Sequence, residues 1–183
     1  PGSVGQECGA TRKHCPGCKV RAAGLLGQDT QVSWARAFRR AAKVDPKYWG
    51  LHDYFDANRS QTTRTKALLR AVPGEVWLTE IGGLVARRNG SRIKLPQGKV
   101  HAAHAKKFIF QKLARVSKRI TRSYLYHWAS LTSHDSWDSA IIGSAGVPRQ
   151  AFSAPHRQLA TLQGCDRQGA RPGPRRPPPA GDA

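Results

Sequence analysis

Residues 76–83 read VWLTEIGG, an apolar run of strand length that ends on a carboxylate and two glycines. Pro73-Gly74 precedes the run and Gly82-Gly83 closes it, so turn signals bound it on both sides. An apolar strand without alternation is one buried on both faces, as in a parallel sheet. Glu80 is one of only three Glu in 183 residues, and it terminates this strand instead of decorating a helix surface. A carboxylate in that position is costly unless it is hydrogen-bonded or used.

Working outward, residues 61–72 place Ala67, Leu68, Ala71 and Val72 on one side of a helix. Before them, residues 48–54 (YWGLHDY) predict a short aromatic strand along which His52 and Tyr54 alternate to the same side. Residues 31–44 predict a helix carrying Trp34, Phe38, Ala41 and Ala42 on one face, stopped by Asp45-Pro46. Residues 20–26 supply a first apolar strand. Downstream, residues 82–98 are a Gly- and Arg-rich loop, and residues 99–117 a helix whose stripe of Ile109, Leu113 and Val116 runs on to Ile120. Residues 123–128 (SYLYHW) predict a fourth strand and residues 149–162 a weaker helix. The strand starts at Val20, Tyr48, Val76 and Ser123 are 28, 28 and 47 residues apart, the spacing of βα units with one enlarged third unit. The expected fold class is therefore α/β with parallel strands and helical crossovers.

In such folds the chemistry collects at the C-terminal ends of the strands. Those ends carry Glu80, His52 with Tyr54, and His127 with Trp128. Trp34, Trp49 and Trp77 read as packing residues, whereas Trp128 and Trp137 are candidates for ligand contact.

The flanks differ in composition. Residues 1–19 hold three of the four Cys and several Gly, an irregular segment; residues 20–163 form the folded part; residues 164–183 are a Pro-, Gly- and Arg-rich tail expected to be disordered, whose PRRPPP run could dock on an SH3-type domain. Cys15-Pro-Gly-Cys18 beside His14 and Cys8 has the spacing of half a zinc clasp, but the remaining Cys165 stands alone. The cluster reads better as a disulfide-capable loop, and no metal or cofactor is expected. The net charge of +20 lies mostly in residues 61–120, with 14 basic and 2 acidic residues. It allows an alternative reading, a non-catalytic basic protein binding nucleic acid or acidic polysaccharide. No apolar run is long enough for a membrane span.

Together these residues resemble the retaining glycoside hydrolases built on (β/α)8 barrels, often called clan A. In that group the nucleophilic Glu ends strand seven in a motif like VWLTEIGG. Strand six carries a His-x-Tyr like His52-Asp53-Tyr54, and strand eight ends in a Trp like Trp128 of YLYHWAS. The run of residues 137–142 with Gly146-Val147-Pro148-Arg149 resembles the entry to helix eight of such barrels. The resemblance implies a TIM-barrel half corresponding to strands five to eight, with Glu80 as catalytic nucleophile and His52, Tyr54, His127 and Trp128 as substrate-binding residues on a carbohydrate. The family's acid/base Glu follows an Asn, usually in an Asn-Glu-Pro setting that neither Glu7 nor Glu75 has. A closed barrel takes about 250 residues, so the implied barrel is incomplete, and a chain lacking the acid is expected to be inactive alone. Unpaired strand edges then invite self-association. A glycan-degrading parent protein would be secreted, although the chain itself shows no export signal.

Overall fold

The structure, a computed structural model, describes residues 13–15, 17–42, 45–88 and 94–153. Residues Cys8, Cys165, the tail and most of the helix expected over 149–162 lie outside them. Four parallel strands form one sheet: β1 (Arg21–Leu26), β2 (Tyr48–His52), β3 (Glu75–Ile81) and, following the two-residue β4 (Ala86–Arg87), β5 (Ile120–Leu125), in the order β1-β2-β3-β5. The crossovers are α1 (Gln31–Ala42), the pair α2 (Tyr54–Arg59) and α3 (Thr63–Ala71), and α4 (Lys99–Gln111). This is the parallel α/β arrangement expected from the sequence.

One sheet face builds the core. Trp49 and Leu51 of β2 and Val76 and Leu78 of β3 are fully buried with Ala35, Leu68, Ile109 and Leu113 from the crossovers. Their apolar area, removed from water at about 25 cal/mol per Å², is what holds helices on that face. The opposite face carries Tyr48 against Trp77, with the Arg122 guanidinium 4.6 Å from the Trp77 ring. Arg21, Arg122 and Tyr124 there are exposed. Strands β1 and β5 stand at the two sheet edges.

Several boundaries differ from the sequence-based expectation. The second strand stops at His52, because Asp53 caps a helix: its carboxylate accepts the Asp56 amide at 3.0 Å, and Tyr54 begins α2 instead of continuing the strand. The last strand covers Ile120–Leu125, so His127 and Trp128 lie beyond it, and Ile120 opens this strand instead of closing the helical stripe. Helix α4 ends at Gln111, followed by a 3₁₀ turn at Leu113–Arg115. The loop of residues 82–98 is not wholly irregular, since β4 pairs antiparallel with β6 (Trp137–Asp138) in a short ribbon. Trp34 is 46% exposed and stacks on Phe38, so it is not buried as Trp49 is in the core and Trp77 is on the opposite sheet face. Cys15 and Cys18 are joined by a disulfide, which removes both thiolates from any zinc clasp. Among the described residues no group of three His, Cys, Asp or Glu could hold a metal, and no helix is long and apolar enough to cross a membrane.

Candidate active site

Glu80 reaches its position through an irregularity in β3. Strict alternation would put Glu80 on the core face with Val76 and Leu78. Leu51 pairs with Leu78 but His52 pairs with Glu80; on the other side Ser123 pairs with Leu78 and Leu125 with Ile81. Both neighbours thus register one extra residue in β3 between Leu78 and Ile81, a bulge that turns Glu80 away from the apolar core and sets it beside His52.

The carboxylate is then gripped from two elements. Tyr54, the first residue of α2, donates its hydroxyl to Glu80 Oε1 at 3.1 Å, and His52 Nδ1 lies 3.3 Å from Glu80 Oε2. Burial and then the Glu80 charge push the Tyr54 phenol well above its ordinary range, so it stays protonated and can only donate to the carboxylate. The His52 ring fits because position 24 on the neighbouring strand is glycine: a Cβ there would lie 3.2 Å from His52 Nε2.

Aromatic side chains wall the site. Trp137 of β6 meets the Tyr54 ring edge-on at 4.6 Å and donates its indole N–H to Ser139 Oγ, which in turn donates to the Tyr126 carbonyl at 2.6 Å. A small pocket of about 210 Å³ opens beside them, lined by His52, Tyr54, Phe55, Arg64, Arg87 and Trp137, with Leu26, Gly27, Gln28 and Leu95 completing it. Trp128 is 64% exposed, its ring 5.9 Å from that of Phe152. The His127 ring stacks on Tyr126, and its Nε2 accepts the Ser139 amide at 3.4 Å. Of the residues singled out from the sequence, the structure joins Glu80, His52 and Tyr54 by direct contact, and connects His127 to them through Ser139 and Trp137. Trp128 makes no contact with that group among those described.

A second layer, which sequence reasoning missed, holds the first. Asn58 is buried, donates to the Tyr54 and Gly82 carbonyls at 2.8 and 3.0 Å, and accepts the Leu84 amide at 2.7 Å. It fastens α2, and with it Tyr54, to the chain leaving β3. Asp53 is fully buried and accepts the Thr65 hydroxyl at 2.7 Å; Asp56 beside it accepts the Thr65 amide. Burial, then the neighbouring Asp56 charge, raises the Asp53 pKa from 3.8 to about 7. The signal available in the sequence was the capping pattern of Asp53 followed three residues later by an acid.

No second carboxyl group is free to serve Glu80 among the described residues. Glu75 sits at the opposite end of β3, about 16 Å away at ~3.3 Å per residue, and accepts from Thr121 and Trp77. Asp29 pairs with Arg64, Asp45 with Arg39, and Asp138 with Arg149. Asp53 and Asp56 are held by Thr65, and Asp135 by Thr132.

A sequence comparison finds no matching protein family and no matching curated protein. Solved structures do match in shape. A thermostable mutant of the xylanase Xyn10A from Cellvibrio japonicus superposes with a TM-score of 0.64 at 12% identity, over 87% of this chain and 55% of that one. A mutant GH128 (subgroup I) endo-beta-1,3-glucanase from Amycolatopsis mediterranei, in complex with laminarihexaose, superposes with a TM-score of 0.56 at 13% identity, over 79% of this chain and 60% of that one. The chain therefore spans somewhat more than half the length of these two enzymes. What it shares with these glycoside hydrolases is the fold, a parallel βα arrangement of the TIM-barrel glycosidase kind.

Proposed function

We propose that the chain carries the nucleophile half of a retaining glycoside hydrolase site, and that its ligand is a carbohydrate. The observation that supports this most is the Tyr54–Glu80–His52 constellation at adjacent strand ends, in a fold that glycoside hydrolases share. A retaining mechanism needs an ionised carboxylate below the anomeric carbon, a second carboxyl group about 5–5.5 Å away as acid/base, and a surface for the sugar face. Glu80 is the nucleophile in this reading. Tyr54 holds Oε1 and His52 lies against Oε2, and the two together fix how the carboxylate faces the anomeric carbon. Trp137 walls the pocket and Trp128 offers an exposed platform, while His127 supports the wall through Ser139.

The acid/base carboxyl comes, in this reading, from outside the described residues. An activated leaving group removes the need for it, which separates the two halves of the mechanism. In a panel of 2,4-dinitrophenyl 2-deoxy-2-fluoro-β-glycosides, Glu80 attacks the anomeric carbon, dinitrophenolate departs with the bonding electrons, and a glycosyl ester remains. The expected result is a single mass addition mapped to Glu80, absent in Glu80→Gln, together with background hydrolysis of unactivated aryl glycosides. A label on another carboxylate, or equal labelling of Glu80→Gln, would overturn the assignment.

A further inference from the structure

The β4–β6 ribbon has two faces, and the proposed active site uses only one. Arg87 pairs with Trp137 and Ala86 with Asp138, so alternation turns Trp137 and Asp138 to opposite sides. Trp137 and Arg87 line the small pocket beside Tyr54. Asp138 and the next basic residue, Arg88, line a second and larger cleft of about 590 Å³ that shares no lining residue with the first. That volume lies inside the range of about 300–1,000 Å³ usual for small-molecule sites.

Its charge is one-sided. Among the described lining residues the ionisable groups are Arg88, Lys99, Arg149 and Asp138. Asp138 has little acceptor capacity left: Arg149 forks onto it with two bonds of 2.7 Å, the Ser130 hydroxyl donates at 2.9 Å and the Ala140 amide at 3.0 Å. Burial pushes the Asp138 pKa up, but these donors outweigh it and hold the carboxyl below its ordinary range. Arg149 and Asp138 cancel, which leaves Arg88 and Lys99 as uncancelled charge. Arg88 is anchored by one donor to the Asp135 carbonyl at 2.6 Å, which positions its guanidinium without neutralising it. The first turn of α4 beyond Lys99 holds no acidic residue. Ser133 and Ser144 add hydroxyls to the wall. Arg88 and Lys99 are both exposed residues lining one concave surface, and two cationic groups on such a surface suit an oxyanion with several acceptor oxygens.

We infer that this cleft is an oxyanion site, distinct from the Glu80 crevice, that takes the carboxylate, sulfate or phosphate group of a small ligand. Arg88 and Lys99 are its binding residues and Arg149, through Asp138, shapes its wall. The inference does not rest on Glu80 being catalytic.

The test titrates the full chain with inorganic phosphate, D-glucuronate and D-glucose at constant physiological salt, following amide chemical shifts. Phosphate and glucuronate are expected to saturate with shifts centred on residues 85–88 and 143–150, and glucose to cause none there. Tighter binding of glucuronate than phosphate marks an acidic sugar as the natural source; the reverse marks a free or terminal phosphate. Arg88→Ala with Lys99→Ala is expected to weaken both anions roughly tenfold or more, the loss that removing charge-assisted hydrogen bonds produces. Lys66→Ala with Arg70→Ala removes the same charge from exposed positions on α3 and is expected to leave binding intact, as is Glu80→Gln. Equal losses in the two double variants would reduce the effect to diffuse attraction by a basic protein and overturn the proposal, as would unchanged binding in Arg88→Ala/Lys99→Ala. Loss of anion binding in Glu80→Gln would place the anion in the crevice instead.

Discussion

Asp53→Asn is the substitution whose effect follows most directly from the structure. Asp53 is fully buried, and burial together with the Asp56 charge raises its pKa from 3.8 to about 7. A carboxyl group whose folded pKa lies above its unfolded value holds a proton in the native state that the unfolded chain has released. Its contribution is therefore complete at acid pH and is lost as pH rises through the interval from 3.8 to about 7. At 1.36 kcal/mol per pK unit the loss between about pH 4.5 and about pH 8 is on the order of 3 kcal/mol. Asp45, Glu75, Asp135 and Asp138 shift the other way. Their contributions fade only as pH falls through the ordinary carboxylate range, mostly below this window. Asn at position 53 keeps an oxygen for the Asp56 amide and presents an N–H₂ group toward Thr65 and Asp56, whose Oδ1 is buried without a partner. Urea denaturation at several pH values across that window is expected to show wild-type stability declining with pH, and Asp53→Asn declining by about 3 kcal/mol less. A variant with the same pH slope as wild type would refute the reasoning, because the proton would then reside elsewhere.

Arg149→Ala strips the fork from a nearly buried carboxylate and is expected to cost about 3–5 kcal/mol, read as a lower urea midpoint, with Arg149→Lys recovering only part. Lys106 is 2% exposed, bonds the Ala151 carbonyl at 2.8 Å, and has a pKa lowered by burial from 10.5 to about 8. Since the unfolded chain binds that proton more tightly, stability should rise between pH 8 and 10.5. Lys106→Met is expected to be neutral or stabilising at pH 7 and to abolish that rise in thermal melts. The edges of β1 and β5 are expected to drive self-association, seen as a concentration-dependent mass in light scattering; a monodisperse monomer at all concentrations would show that the edges are blocked.

Much of the scaffold was legible because it depends on local pattern. Apolar runs bounded by Pro and Gly marked β1, β2 and β3 near their observed positions, and the stripe of Leu68 and Ala71 on α3, continued by Val72, pointed to the core those residues now enter. The stripe expected on α1 is rotated in the structure, where Trp34 and Ala41 are exposed and Gln31 and Ala35 are the buried residues. Glu80 stood out for a chemical reason, a carboxylate ending an apolar strand. The strand placement of Tyr54 failed because the same alternation fits the last strand residue and the first helical turn; the Asp53 cap, with Asp56 three residues on, decided between them.

By itself, then, the sequence determined the alternation of the four main strands with helical crossovers, the buried face of α3 and the residue types gathered at the strand ends, all consequences of period and composition within one segment. Only the tertiary structure decided where those groups point. The bulge that turns Glu80 toward His52 exists as a mismatch of β3 with both β2 and β5, and a mismatch of register has no meaning within one strand. The ribbon that separates Trp137 from Asp138, and so one cleft from the other, arises from a two-residue pairing across 50 positions of chain. Two residues are too short a run to show any period, and the pairing is held by the partner's backbone, not by its own sequence.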